Sequence, residues 1–182
     1  ESTMGMLFPA DAGPLDEGAY GIDIFYTEDG YIEDDDAEDM DYDELLEQMQ
    51  ADIQAGNEER VAAGYESMEL VNWASPPYYD AANKRLHWAK ELYFEGADAN
   101  SLNYNVLCLG RKGYLTMNAI GGMEDLEKVS AGLSGFLNSV SYQEGHRYAD
   151  FDPSVDEVAA YGIGALIAGK VLAKTGILAG IG

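Results

Sequence analysis

The chain has 182 residues, with 34 acidic against 10 basic side chains and a net charge of −24. That surplus repels phosphate backbones and anionic headgroups, which excludes nucleic acid as a partner. One cysteine, Cys108, excludes an internal disulfide and any cysteine-based zinc site.

The charge is uneven. Residues 1–59 carry 20 acids and no Lys or Arg, while residues 60–182 carry 14 acids and all 10 bases. In chain order, Met4–Phe8 is a short apolar run ending at Pro9, followed by turn chemistry through Gly13 and Pro14. Tyr20, Ile22, Ile24 and Tyr26 lie on one face with Asp23 on the other, which predicts a half-buried strand. Asp29-Gly30 marks a turn, and Glu28–Glu44 holds 11 acids. Within it Asp39-x-Asp41-x-Asp43 resembles a calcium loop. Glu44 stands where that loop needs glycine, however, and Gln50 where it needs a bidentate glutamate. A solvated acidic loop is the better reading, with Asp34, Asp36, Asp39 and Asp41 as weak metal candidates.

Tyr42, Leu45, Met49 and Ile53 recur at helical spacing, so an amphipathic helix runs from about Asp43 to Gly56 or Gly64. Glu69–Ala74 opens a strand that Pro76-Pro77 is expected to break. Asp80–Asn83 reads as a turn. Leu86, Trp88, Leu92 and Phe94 share one strand face with Lys90, and His87 and Glu91 take the other. Leu102–Leu109 and Tyr114–Ile120 alternate on either side of an Arg111-Lys112-Gly113 turn, and Cys108 reads as a small core residue there. Short turns between consecutive strands indicate an antiparallel meander. Leu126, Val129, Leu133, Phe136 and Val140 then trace a second amphipathic helix.

The C-terminal stretch changes character. Asp152-Pro153 and the box Ser154–Glu157 both signal a helix start. Val158–Gly182 is long enough to cross a bilayer at about 1.5 Å per residue, but Lys170 and Lys174 make it a marginal span alone. Gly164 and Ala168, with Gly169 on a neighbouring ridge and the Gly176/Gly180 pair, form small-residue ridges that suit helix pairing in lipid. Tyr161 and the two lysines complete the expected membrane or oligomer helix. His146, Arg147, Asp150 and Asp152 form a mixed-charge collar before it.

Two histidines in different elements, and no HExxH, GxSxG, P-loop or GxGxxG, supply no catalytic set. The sequence therefore nominates no catalytic or cofactor-binding residue and leans against an enzyme. The expected fold is α+β: a mostly antiparallel sheet of five or six strands packed with at least two helices. An acidic domain, 1–151, is followed by a Gly/Ala-rich hydrophobic helix, 152–182.

The segments LFPADAGP, YYDAANKRLHWAKELYF, LNYNVLCLGRKGYLTMNA and GHRYADFDPSVDEVAAYGIGALIAGKVLAKTG together resemble a bacterial domain-of-unknown-function family of predicted membrane-anchored proteins. The resemblance runs over nearly the whole chain. It implies a secretory signal upstream of Glu1, an extracytoplasmic domain and a C-terminal membrane helix, with no activity or catalytic residue to carry over. The leading functional expectation is thus a membrane-anchored, periplasmic assembly component. Its partners would be the lipid bilayer, further copies of itself or other membrane proteins. A calcium- or small-ligand-binding module using loop 28–44 is the alternative, and an enzyme with a cleft near Lys90, Trp88 and His87 is the third.

Overall fold

The computed structural model describes residues 2–10, 13, 16, 19–37 and 40–169. Its frame is one six-stranded antiparallel sheet in the order β1-β2-β6-β5-β4-β3, confirming the α+β class. The strands are β1 (Ser2–Leu7), β2 (Gly21–Thr27), β3 (Met68–Asp80), β4 (Arg85–Phe94), β5 (Ser101–Leu109) and β6 (Tyr114–Gly122). The helices are α1 (Tyr42–Ala62), α2 (Leu126–Leu137) and the short α3 (Ile163–Ala168). After β2 the acidic loop and α1 carry the chain to the far edge. The meander from β3 to β6 then walks back until β6 pairs with β2.

Period-two alternation sorts the side chains into two cores. The front face buries Leu70, Leu86, Trp88, Leu107 and Leu109 beneath α1 and α3. The back face buries Ile22, Ala89, Val106, Cys108 and Met117 beneath α2, which contributes Val129, Leu133 and Leu137. Asp41 caps α1 by accepting from the amides of Asp43 and Glu44 at 3.1 and 3.0 Å. Arg85 donates to the Leu137 carbonyl at 2.8 Å, placing a cation at the negative end of α2. The turn between β5 and β6 requires Gly113, whose φ is +153° and where a Cβ would lie 1.9 Å from the Thr27 carbonyl oxygen.

The apolar run at Met4–Phe8 forms most of β1, an edge strand with a register shift between Thr3 and Gly5. Two local expectations are corrected. Pro76-Pro77 does not end β3, which passes through both prolines to Asp80. An outermost strand tolerates missing N–H donors, and the ladder to β4 slips between Ser75 and Tyr78 to accommodate them.

The second correction concerns the C-terminal helix, which does not start at Asp152-Pro153. Asp152 instead accepts from Ser154 N and Oγ at 2.9 and 2.6 Å, closing a turn. Tyr31 then holds the following residues: its N–H donates to the Glu157 carbonyl and its carbonyl accepts from Ala159 N–H, both at 2.8 Å. Only Ile163–Ala168 is helical, and Gly169 ends it at φ +70°. Ile163, Leu166 and Ile167 are buried in the front core beside Ile32 and Tyr148. Among the described residues no helix is long and apolar enough to cross a membrane. Lys170, Lys174, Gly176 and Gly180 lie outside the described residues.

Candidate functional site

Most of the front face is apolar, but its centre carries a polar patch. Lys90 on β4, Asn103 and Asn105 on β5, and Thr116 and Asn118 on β6 share the same pleat phase as Trp88 and Leu107. The amides form a directed chain: Asn105 donates to Asn103 Oδ1 at 2.8 Å, and Asn103 donates to Asn118 Oδ1 at 2.6 Å. Asn105 and Thr116 are buried, a costly placement for polar groups in the middle strands of a sheet.

Beside this patch lies a cavity of about 220 Å³. Its floor is the sheet, with Trp88, Lys90, Asn105, Leu107 and Thr116, and Phe25 and Tyr114 stand at its β2–β6 side. Its roof is α3, with Ala165, Leu166, Ile167 and the terminal Gly169, together with Tyr161. Tyr161 is fixed by its hydroxyl, which donates to Asp29 Oδ2 at 2.5 Å. Burial and the bonds to Asp29 and Tyr114 push the Tyr161 phenol far above its ordinary range, so it stays protonated.

Two groups in the cavity lack partners among the described residues. The indole Nε1 of Trp88 is buried and makes no hydrogen bond. Lys90 enters no salt bridge, and burial lowers its pKa with no neighbouring charge to offset the effect. Tryptophan and protonated lysine can only donate. Among the described residues no carboxylate lines the cavity. A chain with a net charge of −24 has therefore kept a cation apart from its own acids, pointing at open volume.

The other sequence candidates have structural employment. Asp34 accepts from Tyr79 Oη, Lys84 Nζ and Tyr148 Oη at 2.6, 2.7 and 2.9 Å. Asp36 accepts from the Ile163 amide at 3.2 Å, and Asp41 caps α1. Asp39 lies outside the described residues, among which no cluster of three or more His, Cys, Asp or Glu side chains suits a metal.

In the collar, Asp150 Oδ2 accepts from the amides of Gly145 and Arg147, and the His146 carbonyl accepts from Arg111 N–H. The ion pairs here join Asp156 to Arg111 at 2.6 Å and to Lys112 at 3.9 Å; among the described residues no side chain of His146, Arg147, Asp150 or Asp152 joins them, although the Asp152 amide donates to Asp156 Oδ2. Short acidic side chains next to turns find backbone amides before they find partners across a loop. His87 points to the back face and packs against Tyr78, with ring centroids 5.6 Å apart, so it does not join Lys90 and Trp88. Of the expected membrane-helix residues, Gly164 packs against Met40, Gly169 and Tyr161 line the cavity, and Ala168 packs on the front core.

Sequence reasoning named Lys90 and Trp88 but missed Asn105, Thr116, Tyr114 and the α3 roof. The signal was present in LNYNVLCL: two asparagines in phase on a strand whose other positions are nearly all apolar. A strand covered on both faces has no solvent side for them.

A family model described as "Protein of unknown function (DUF2167)" matches residues 1–182. No curated protein and no solved structure matches the chain.

Proposed function

The chain belongs to this family of proteins of unknown function over its full length, and we propose that the domain binds a small anionic molecule in the cavity between the sheet and α3. The observation that carries the reading is the pair of unpartnered donors, Lys90 and Trp88 Nε1, with no carboxylate among the lining residues. Such a set matches a ligand that supplies acceptors and negative charge. The walls of Phe25, Leu107, Leu166 and Ile167 match an apolar remainder. A volume of about 220 Å³ is below the range for drug-sized ligands, which favours a compact carboxylate. Recognition of such a ligand is the role these donors support.

Calorimetry with hexanoate and hexanol tests it. Saturable binding of hexanoate, weaker binding of hexanol and loss of that difference in Lys90→Met support the site. Equal affinities for acid and alcohol, or none for either, contradict it.

Membrane tethering on the extracytoplasmic side stays part of the proposal, supported by the family resemblance and by the Ile/Leu/Gly-rich sequence of residues 170–182. Carbonate extraction of native membranes tests it: retention in the pellet supports the tether, and complete release contradicts it.

A further inference from the structure

The lysines divide by their surroundings. Lys84 stands 2.7 Å from Asp34, Lys128 3.0 Å from Asp125 and Lys112 3.9 Å from Asp156, so each has a carboxylate that favours its charged form. Lys90 alone among the described lysines has none. It sits within the sheet, on β4 between β3 and β5, where Trp73 and Asn103 are its strand partners. Among the described residues, β2, β5, β6 and α3 bring no charged side chain to the cavity that Lys90 lines. The other titratable groups there are the phenols of Tyr114 and Tyr161. Burial lowers the Lys90 pKa, which brings its neutral amine within reach at a lower pH than an ordinary lysine allows.

A neutral amine is a nucleophile, and desolvation in an apolar pocket is a recurrent way of activating one. Whatever it attacks must also bring an acceptor for Trp88. That residue precedes Lys90 by two positions on the same strand face, about 7 Å along β4. Its buried indole N–H has no partner among the described residues. A carbonyl compound answers both groups, because its carbon is electrophilic and its oxygen accepts a hydrogen bond. The apolar walls and a volume of about 220 Å³ suit a short alkyl chain behind that carbonyl.

We propose that Lys90 condenses with a small aliphatic aldehyde held in the cavity, while Trp88 Nε1–H donates to the carbonyl oxygen. The amine nitrogen bonds to the carbonyl carbon, and one amine proton passes to the oxygen to give a carbinolamine. That hydroxyl then leaves with the second amine proton as water, and a C=N bond remains. Nothing is oxidised or reduced. The inference rests on the cavity assigned above but not on its preference for anions, because the reacting form is the neutral amine.

The test is reaction of the 182-residue protein with hexanal and cyanoborohydride, which reduces the imine to a stable hexylamine, followed by peptide mapping by mass spectrometry. Lys112 and Lys128, whose side chains are 52% and 70% exposed, serve as internal references. Lys90 should gain its hexyl group at least about tenfold faster than either. Trp88→Phe, with unchanged circular dichroism, should slow labelling of Lys90 by about tenfold and leave Lys112 unaffected. Equal or slower labelling of Lys90 in the unaltered protein overturns the inference, and so does a Lys90 rate that Trp88→Phe leaves unchanged. Added hexanoate separates the two readings of the cavity. Fast Lys90 labelling that hexanoate fails to slow upholds the aldehyde chemistry and counts against the anion reading. Saturable hexanoate binding without fast labelling does the reverse.

Discussion

The hydroxyl of Tyr148 donates to Asp34 Oδ1 at 2.9 Å, joining residues 114 apart in sequence and closing the acidic loop onto the segment before α3. Its single proton is shared with the Ile32 carbonyl, 2.8 Å from the same oxygen, and Tyr31 lies between Tyr148 and Phe151, stacked on the latter. Tyr148→Phe keeps the ring but orphans these acceptors, one of them on the buried Ile32. The expected cost is about 1–3 kcal/mol, read from urea denaturation at constant slope. No change in midpoint would show that the loop closes without this bond.

The pH dependence of stability should report Asp34. Burial opposes its ionisation, but hydrogen bonds from Lys84, Tyr79 and Tyr148 outweigh burial and hold its pKa below the ordinary carboxylate value. With the folded pKa depressed, its contribution is complete above the unfolded value of 3.8 and is lost as pH falls through the folded value. Asp34→Asn should therefore flatten the acid limb of the stability curve while leaving its alkaline limb alone. An unaltered acid limb would assign that limb to other carboxylates.

Lys90 acts against stability at neutral pH, where Asp34 supports it. Its folded pKa is lowered by burial, so at neutral pH the charged form costs stability, and the cost disappears above the unfolded value of 10.5. Lys90→Met should stabilise the free protein at neutral pH by about 1 kcal/mol, as expected where a binding group is kept at the expense of stability. The same variant should lose carboxylate binding. A destabilised Lys90→Met protein would mean that the lysine holds the fold together.

Gly164 distinguishes the folded arrangement from the lipid-facing ridge suggested by the sequence. A Cβ there would lie 3.2 Å from Met40 Sδ, inside the front core. Gly164→Leu should lower thermal stability through overpacking, by about 1–3 kcal/mol, with or without membranes. A variant that melts normally but falls apart as an oligomer in detergent would restore the ridge.

The contrast between Gly164 and the strands shows what the sequence could and could not reveal. The alternations in Tyr20–Tyr26, Leu86–Phe94 and Leu102–Leu109 specify strand faces because the pleat period is local. The i, i+3, i+4 spacing of Tyr42, Leu45, Met49 and Ile53 is equally local, and α1 follows it. Asp152-Pro153 is also a local signal, but there the local preference lost to distant contacts. Asp152 N–H and Arg111 converge on Asp156 Oδ2 at 2.8 and 2.6 Å, and Tyr31 brackets Val158. Residues 111 and 31 are remote in sequence, so no helix-start rule includes them.

The cavity was half legible for the same reason. Lys90 and Trp88 announce themselves on one strand, whereas Asn105, Thr116 and Tyr161 reach them through strand order and the placement of α3. The prolines of β3 were misread because their tolerance depends on the strand being at an edge, which is a property of topology.

The β3 edge offers a further check. Asn57 makes two hydrogen bonds to Met68, and Asn57→Ala removes both. A loss of about 1–2 kcal/mol is expected, together with faster exchange of the Met68 amide. Unchanged exchange would mean that α1 protects the edge by packing alone.

The most direct test of the binding account is the indole Nε1–H resonance of Trp88, followed by NMR while hexanoate is added. Its donor has no partner among the described residues and lines the cavity, whereas the indole of Trp73 already donates to the Tyr42 carbonyl at 3.1 Å. The account predicts a saturable shift of the Trp88 signal, little change at Trp73 and loss of the response in Lys90→Met. A Trp88 signal that stays fixed throughout the titration, or one that moves equally in Lys90→Met, would contradict it.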